Sequence, residues 1–246
     1  MSAKKIVLSA FLSLFAAGQF SVLGSTTALT IGTVLITNQK AIAQSAQVLL
    51  QNGARKFKND NYKGAIEDLN NSIRANPNSY LAYFIRGAAK SAIEDYKGAI
   101  ADFTDALKIK PDESMIWYMR GTAKVGISEI SNKLVAPSSG YKHPAIKIRE
   151  SAIKDFNIAI KLDPNKPNYY RARGFAKTLI KDHEQALADY KQALALDKSD
   201  FTLYRLIAIT HNIIGNKSAA CKNFETALDA GDKDSIDLYN ENCKDY

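Results

Sequence analysis

Gly64-Ala-Ile-Glu-Asp-Leu-Asn-Asn-Ser-Ile-Arg-Ala-Asn-Pro77 is a phrase that the chain writes more than once. It returns as Gly98-Ala-Ile-Ala-Asp-Phe-Thr-Asp-Ala-Leu-Lys-Ile-Lys-Pro111 and as Ser151-Ala-Ile-Lys-Asp-Phe-Asn-Ile-Ala-Ile-Lys-Leu-Asp-Pro164. A fourth copy is Gln185-Ala-Leu-Ala-Asp-Tyr-Lys-Gln-Ala-Leu-Ala-Leu-Asp-Lys198, and a worn fifth is Ala219-Ala-Cys-Lys-Asn-Phe-Glu-Thr-Ala-Leu-Asp-Ala-Gly231. Ala65 to Ala99, Ala152 to Ala186 and Ala186 to Ala220 are each 34 residues, whereas Ala99 to Ala152 is 53, one period plus 19. A fixed period of this size marks a repeat array rather than a single closed core.

A small residue precedes each copy: Gly53, Gly87, Gly121, Gly174 and Ala208. In four copies it lies 12 residues before the first Ala; the third carries the 19 extra residues in between. Each unit therefore reads as two amphipathic helices joined by a tight turn. The pattern Ala-x3-Phe/Tyr/Leu-x2-Ala/Ser puts three groups on one helix face. The small residues let two backbones approach, and Pro77, Pro111 and Pro164 stop the second helices, because proline cannot continue a helix and pushes its predecessor out of the helical region.

The 34-residue period, the Gly/Ala pair of small sites, the later Ala and the closing Pro resemble the tetratricopeptide repeat, over roughly residues 46–234. The resemblance implies an all-α fold, a right-handed α-α solenoid of about five helix pairs. The repeats fall at 46–79, 80–113, 114–166, 167–200 and 201–234, with a capping helix at 235–246. Ser72 in place of the second small Ala, Lys198 in place of Pro and Asn216-Lys217 at the fifth turn depart from the pattern.

The 19-residue insertion lies within 122–151. Residues 127–134 still look helical, Ala136-Pro-Ser-Ser-Gly140 is a loop, and Pro144 suits a helix first turn. Both helices of the third repeat are expected to be prolonged, to be joined near 135–143 and to project as a hairpin. A structureless loop is the alternative, and such loops are uncommon in compact domains.

Residues 1–43 hold no acid; Lys4 and Lys5 precede a charge-free run from Ile6 to Gln39, and Ala41-Ile-Ala43 offers a cleavage site. That order reads as a signal peptide, placing the protein in the periplasm, a thylakoid lumen or outside the cell. An uncleaved anchor through residues 6–37, with membrane association, is the other reading. Removing the segment deletes Lys4, Lys5 and Lys40 and lowers the net charge from +8 to +5. Without a dense Lys/Arg run interleaved with aromatics, no nucleic-acid partner is expected.

The two cysteines sharpen the export reading. Cys221 takes the slot that Ile66, Ile100, Ile153 and Leu187 fill elsewhere, and Cys243 lies on the inward face of the last helix with Ile236 and Tyr239. In an oxidising compartment they are expected to form a disulfide that ties down the end of the stack; in a reducing one they are two buried thiols. Two Cys without a His pair make no zinc site, and no metal or cofactor is expected. His143, His183 and His211 are scattered, Asp182-His183-Glu184 reads as a solvated turn, and no catalytic residues are assigned.

In the family the resemblance points to, first helices line a concave groove that holds partner peptides. Carried over by repeat phase, that groove comprises Leu81, Phe84, Ile85 and Ala88, then Met115, Tyr118, Met119 and Thr122. In the fourth repeat it comprises Asn168, Arg171 and Phe175, and in the fifth Arg205, Leu206, Ile209 and Asn212. An apolar segment with an acidic end near Arg171 and Arg205 is the expected ligand. Two classes of function follow: a non-enzymatic adaptor or assembly factor that holds a protein or peptide segment, or a structural subunit of an envelope complex docked through its convex face and insertion.

Overall fold

The computed structural model describes residues 30–134 and 144–244, with side chains from 42 to 130 and from 144 onward. Every regular element among them is an α-helix: α1 Thr30–Lys58, α2 Tyr62–Ala75, α3 Tyr80–Ala92, α4 Tyr96–Ile109, α5 Ser114–Leu134 and α6 Pro144–Leu162. The series continues with α7 Pro167–Leu179, α8 His183–Leu196, α9 Thr202–Ile213, α10 Lys217–Asp229 and α11 Ser235–Cys243. Consecutive helices pair, as expected for tetratricopeptide-type packing.

Four first helices, α1, α3, α7 and α9, are each closed by one left-handed residue: Asp60 (φ 59°), Glu94 (φ 64°), Lys181 (φ 66°) and Gly215 (φ 78°). The next amide then reaches back to a carbonyl in the last turn, Asn61 N to Lys56 O at 2.9 Å and Asp95 N to Lys90 O at 2.9 Å, so orphan carbonyls are satisfied as the chain reverses. The second helix starts at once, because Asn61, Asp95 and Asn216 accept hydrogen bonds from the amides of Gly64, Gly98 and Ala219.

The chain divides into two compact units within α5, after Ala123. In the first, α1 packs on α2 and α3, and α3 on α2 and α4. In the second, α6 packs on α7, α7 on α8, α8 on α9, α9 on α10 and α10 on α11. The small residues work as close-approach sites: a Cβ placed on Gly87 would stand 2.8 Å from Phe103 Cε1, and one on Gly174 would stand 2.7 Å from Tyr190 Cε1. Phe103 is fully buried and Tyr190 nearly so, which leaves little room to give. Gly174→Ala is expected to destabilise the second unit by about 1–2 kcal/mol in urea unfolding, through overpacking. Ala208 holds the same place against the fully buried Phe224, so that pair already accommodates a methyl group.

One sequence expectation changes. Helix α1 begins at Thr30 rather than near residue 46, and no proline interrupts residues 30–58. The third repeat is prolonged on both sides, α5 having 21 residues against 13 in α3, and α6 having 19 against 14 in α4. The expected connecting loop at 135–143 lies outside the described residues. The Arg149 guanidinium donates to Ser128 Oγ (3.1 Å), Glu129 Oε1 (2.8 Å) and Leu179 O (3.2 Å), tying both extended helices to the end of α7.

Candidate interaction surface

The Asp of the second, third and fourth phrases is a buried anchor, and Asp68 of the first is half-buried. Asp102 accepts both Arg86 Nε (2.9 Å) and Nη2 (2.5 Å), and Lys90 Nζ lies 2.9 Å away. Arg86 Nη1 also donates to Asn70 Oδ1 at 2.8 Å, joining α3 to α2. The same cluster recurs in the second unit: Asp189 takes Arg173 Nε (2.9 Å) and Nη2 (2.6 Å) with Lys177 at 2.9 Å, and Arg173 Nη1 reaches Asn157 at 2.7 Å. Lys56–Asp68 (2.8 Å) and Lys124–Asp155 (2.7 Å) are simpler versions. Arg86, Arg120 and Arg173 also lie over the rings of Tyr83, Trp117 and Tyr170. Sequence reading missed this network, although the dipeptide Arg-Gly followed by Asp was its signal.

The fifth repeat breaks the series, with Ile207, His211 and Asn223 at the three places. His211 Nδ1 is buried without a hydrogen-bond partner among the described residues. Burial, and then the charge of Lys191, lower the His211 pKa below its ordinary value of 6.5. A depressed pKa means that the fold prefers the neutral ring, so this contribution is complete above pH ~6.5 and is lost as pH falls through the folded value. Acidification is therefore expected to raise hydrogen exchange in α9 and α10, and His211→Gln to remove that pH dependence.

Most of the residues assigned to the groove are occupied. Phe84 and Ile85 (each 2% exposed), Ala88, Tyr118 and Met119 are buried and cannot line an open surface. The Phe84 ring lies 6.0 Å from that of Phe103. Leu81 and Met115 are half-buried, and Thr122 donates to Tyr118 O at 3.0 Å.

The two arginines expected to meet an acidic ligand already hold acids of this chain. Arg171 is paired with Asp200 and donates to Asn168 Oδ1 at 2.9 Å; Arg205 meets Asp232 at 2.9 Å and Asp234 at 2.7 Å. These carboxylates lie in the segment that follows each helix pair. Leu206 and Ile209 are partly buried against the cores around Tyr190 and Phe224, and Asn212 donates to Asn242 Oδ1 at 2.9 Å.

On α7 and α9 the large apolar side chains that stay open are Phe175, 40% exposed, and Ile213, 54% exposed. Phe175 and Ile209 are phase-equivalent, and Ile213 lies one turn beyond Ile209 on the same face. Ile213 was absent from the sequence-derived set.

Cys221 and Cys243 are joined by a disulfide that fixes α11 over Ala208, Ala220 and Phe224. Asp182-His183-Glu184 forms the start of α8. Among the described residues no helix is long and apolar enough to cross a membrane. The N-terminal segment assigned as signal peptide or anchor lies outside the described residues up to 29, and residues 30–43 begin α1.

Repeated antiparallel helix pairs with Gly-on-aromatic contacts define a helical-repeat protein. The family model described as tetratricopeptide repeat matches residues 50–114, and the fold is similar to that of solved proteins of this kind. No curated protein matches the sequence. Among solved structures, MamA from Desulfovibrio magneticus RS-1 is similar with a TM-score of 0.65 at 16% identity, covering 76% of this chain and 94% of that one. TTC0263, a thermophilic TPR protein in Thermus thermophilus, has a TM-score of 0.60 at 18% identity, covering 80% and 97%. YrrB, a TPR protein with an unusual peptide-binding site, has a TM-score of 0.63 at 16% identity, covering 82% and 96%.

Proposed function

We propose that this protein is a non-enzymatic interaction scaffold that seats an apolar segment of a partner protein on the first-helix face of its second unit. The observation that carries this reading is the pair of large apolar side chains left in water there, Phe175 and Ile213. Exposed apolar groups beside satisfied polar ones are what partner sites present. Arg171 and Arg205 are neutralised by Asp200, Asp232 and Asp234, which favours an apolar segment over an acid-tipped one. An adaptor or assembly role in an exported compartment, reached by cleavage near Ala43, agrees with the disulfide.

The test is recovery of partners from native membranes with Phe175→Asp/Ile213→Asp, followed by quantitative mass spectrometry. The reading expects one partner to fall at least about tenfold, since burying an unpaired carboxylate opposes binding. Unchanged recovery of every partner contradicts it. An N-terminus at Gln44 in the mature pool supports export, and an intact start at Met1 or Ser2 overturns cleavage.

A further inference from the structure

The second helices can be compared position by position, because they share one repeat phase. On α6 the exposed ionisable side chains are Lys147, Lys154 and Lys161. They are seven residues apart, which places them along one face at steps of roughly 10 Å. Ile158 (36% exposed) and Leu162 (41%) lie among them. On α8 the phase-equivalent face presents Ala188, Lys191, Gln192, Ala195 and Leu196, and the only exposed acid of that helix is Glu184 in its first turn. None of these four lysines has an ion-pair partner among the described residues.

The other repeats differ at several of these places, although Arg74 of α2 and Lys108 of α4 stand where α6 has Lys161. Glu67 of α2 stands where α6 has Lys154, and Asp105 of α4, where α6 has Ile158, pairs with Lys108 at 2.7 Å. On α10, Glu225 and Asp229 stand where α6 has Asn157 and Lys161. At the places of those acids α6 and α8 carry none; apart from the buried Asp155 and Asp189, their own acids, the half-buried Glu150 and the exposed Glu184, lie one turn before Lys154 and Ala188. The extension of the third repeat lengthens α6 by the turn that carries Lys147.

We propose that the outer face of α6 and α8 seats on a bilayer surface bearing anionic phospholipid headgroups. Lysine ammonium groups meet lipid phosphates, while Ile158, Leu162 and Leu196 enter the headgroup region. Unpaired lysines flanking apolar side chains are the composition of an interfacial surface. The small Ala188 and Ala195 keep the relief low, which fits a planar partner better than a protein ridge. This surface is made by second helices and does not depend on the partner seat of α7 and α9.

Co-sedimentation of the full chain with vesicles tests it, using phosphatidylcholine alone and an equal mixture with phosphatidylglycerol. Wild type is compared with Lys154→Glu/Lys161→Glu/Lys191→Glu and with a control of equal charge, Lys63→Glu/Lys97→Glu/Lys233→Glu. Circular dichroism checks that both variants stay helical. Binding through the N-terminal segment is common to all three proteins. The expected result is added affinity for the phosphatidylglycerol vesicles that is salt-sensitive, weakened roughly a hundredfold by the first triple and much less by the control. Equal weakening by both triples, no preference for phosphatidylglycerol, or binding of poly-L-glutamate in place of the vesicles overturns the proposal.

Discussion

Asp189→Ala is expected to lower the unfolding free energy by about 3 kcal/mol, the largest loss from any single substitution in the polar network. The Asp189 side chain is 5% exposed, and it neutralises two cations, Arg173 and Lys177, whose own side chains are 19% and 12% exposed. Its loss leaves two neighbouring positive charges in a poorly solvated place with no acid between them. Partial exposure of the cations keeps the expected cost at the lower end of the range for a broken buried pair. Urea unfolding monitored by circular dichroism measures it. Removing all three charges, with Asp189→Leu/Arg173→Met/Lys177→Met, is expected to recover most of the loss, since apolar packing can replace a buried ion cluster. A single-variant cost below about 1 kcal/mol would place the cluster among surface pairs.

Cys243→Ser carries the second large effect, again about 3 kcal/mol. The disulfide spans 22 residues of sequence, and cross-linking a loop of that length removes substantial freedom from the unfolded chain. The last helix is short, at nine residues, and apart from the cross-link it is held by Leu238, Tyr239 and two side-chain bonds, Asn212 to Asn242 at 2.9 Å and Tyr239 to Glu225 at 3.1 Å. A helix of that size has little stability of its own. Dithiothreitol on wild type and Cys243→Ser should give the same lowered urea midpoint, with α11 losing hydrogen-exchange protection before α8. Equal protection of α11 with and without the disulfide would contradict this account of the cap.

Much of the fold was legible, because each boundary has a local chemical cause. The helices Tyr62–Ala75, Tyr80–Ala92 and Tyr96–Ile109 follow the caps Asn61, Ser79 and Asp95 and occupy the spans that the repeat phase predicts. The start of α1 was not legible, since Ser45, which could cap a helix at 46, instead lies inside α1 and donates to Ile42 O at 2.7 Å. The site was read less well. Repeat phase gives the angle of a side chain around its helix but not its depth, and depth is set by the size of its neighbours. That is why Phe84 and Tyr118 are swallowed while Phe175, at a comparable angle, stays open. Arg171 and Arg205 were read as free because their acids, Asp200 and Asp232, follow 29 and 27 residues later, beyond any helical spacing.

The central claim is that a partner lies on Phe175 and Ile213, and photo-crosslinking in native membranes meets it most directly. A benzophenone amino acid at position 175 is compared with one at Lys63, an exposed side chain of the first unit. The account predicts one discrete adduct from position 175, absent from position 63 and abolished by Ile213→Asp in the same chain. Adducts of the same pattern from both positions, or an adduct at 175 that survives Ile213→Asp unchanged, would contradict it.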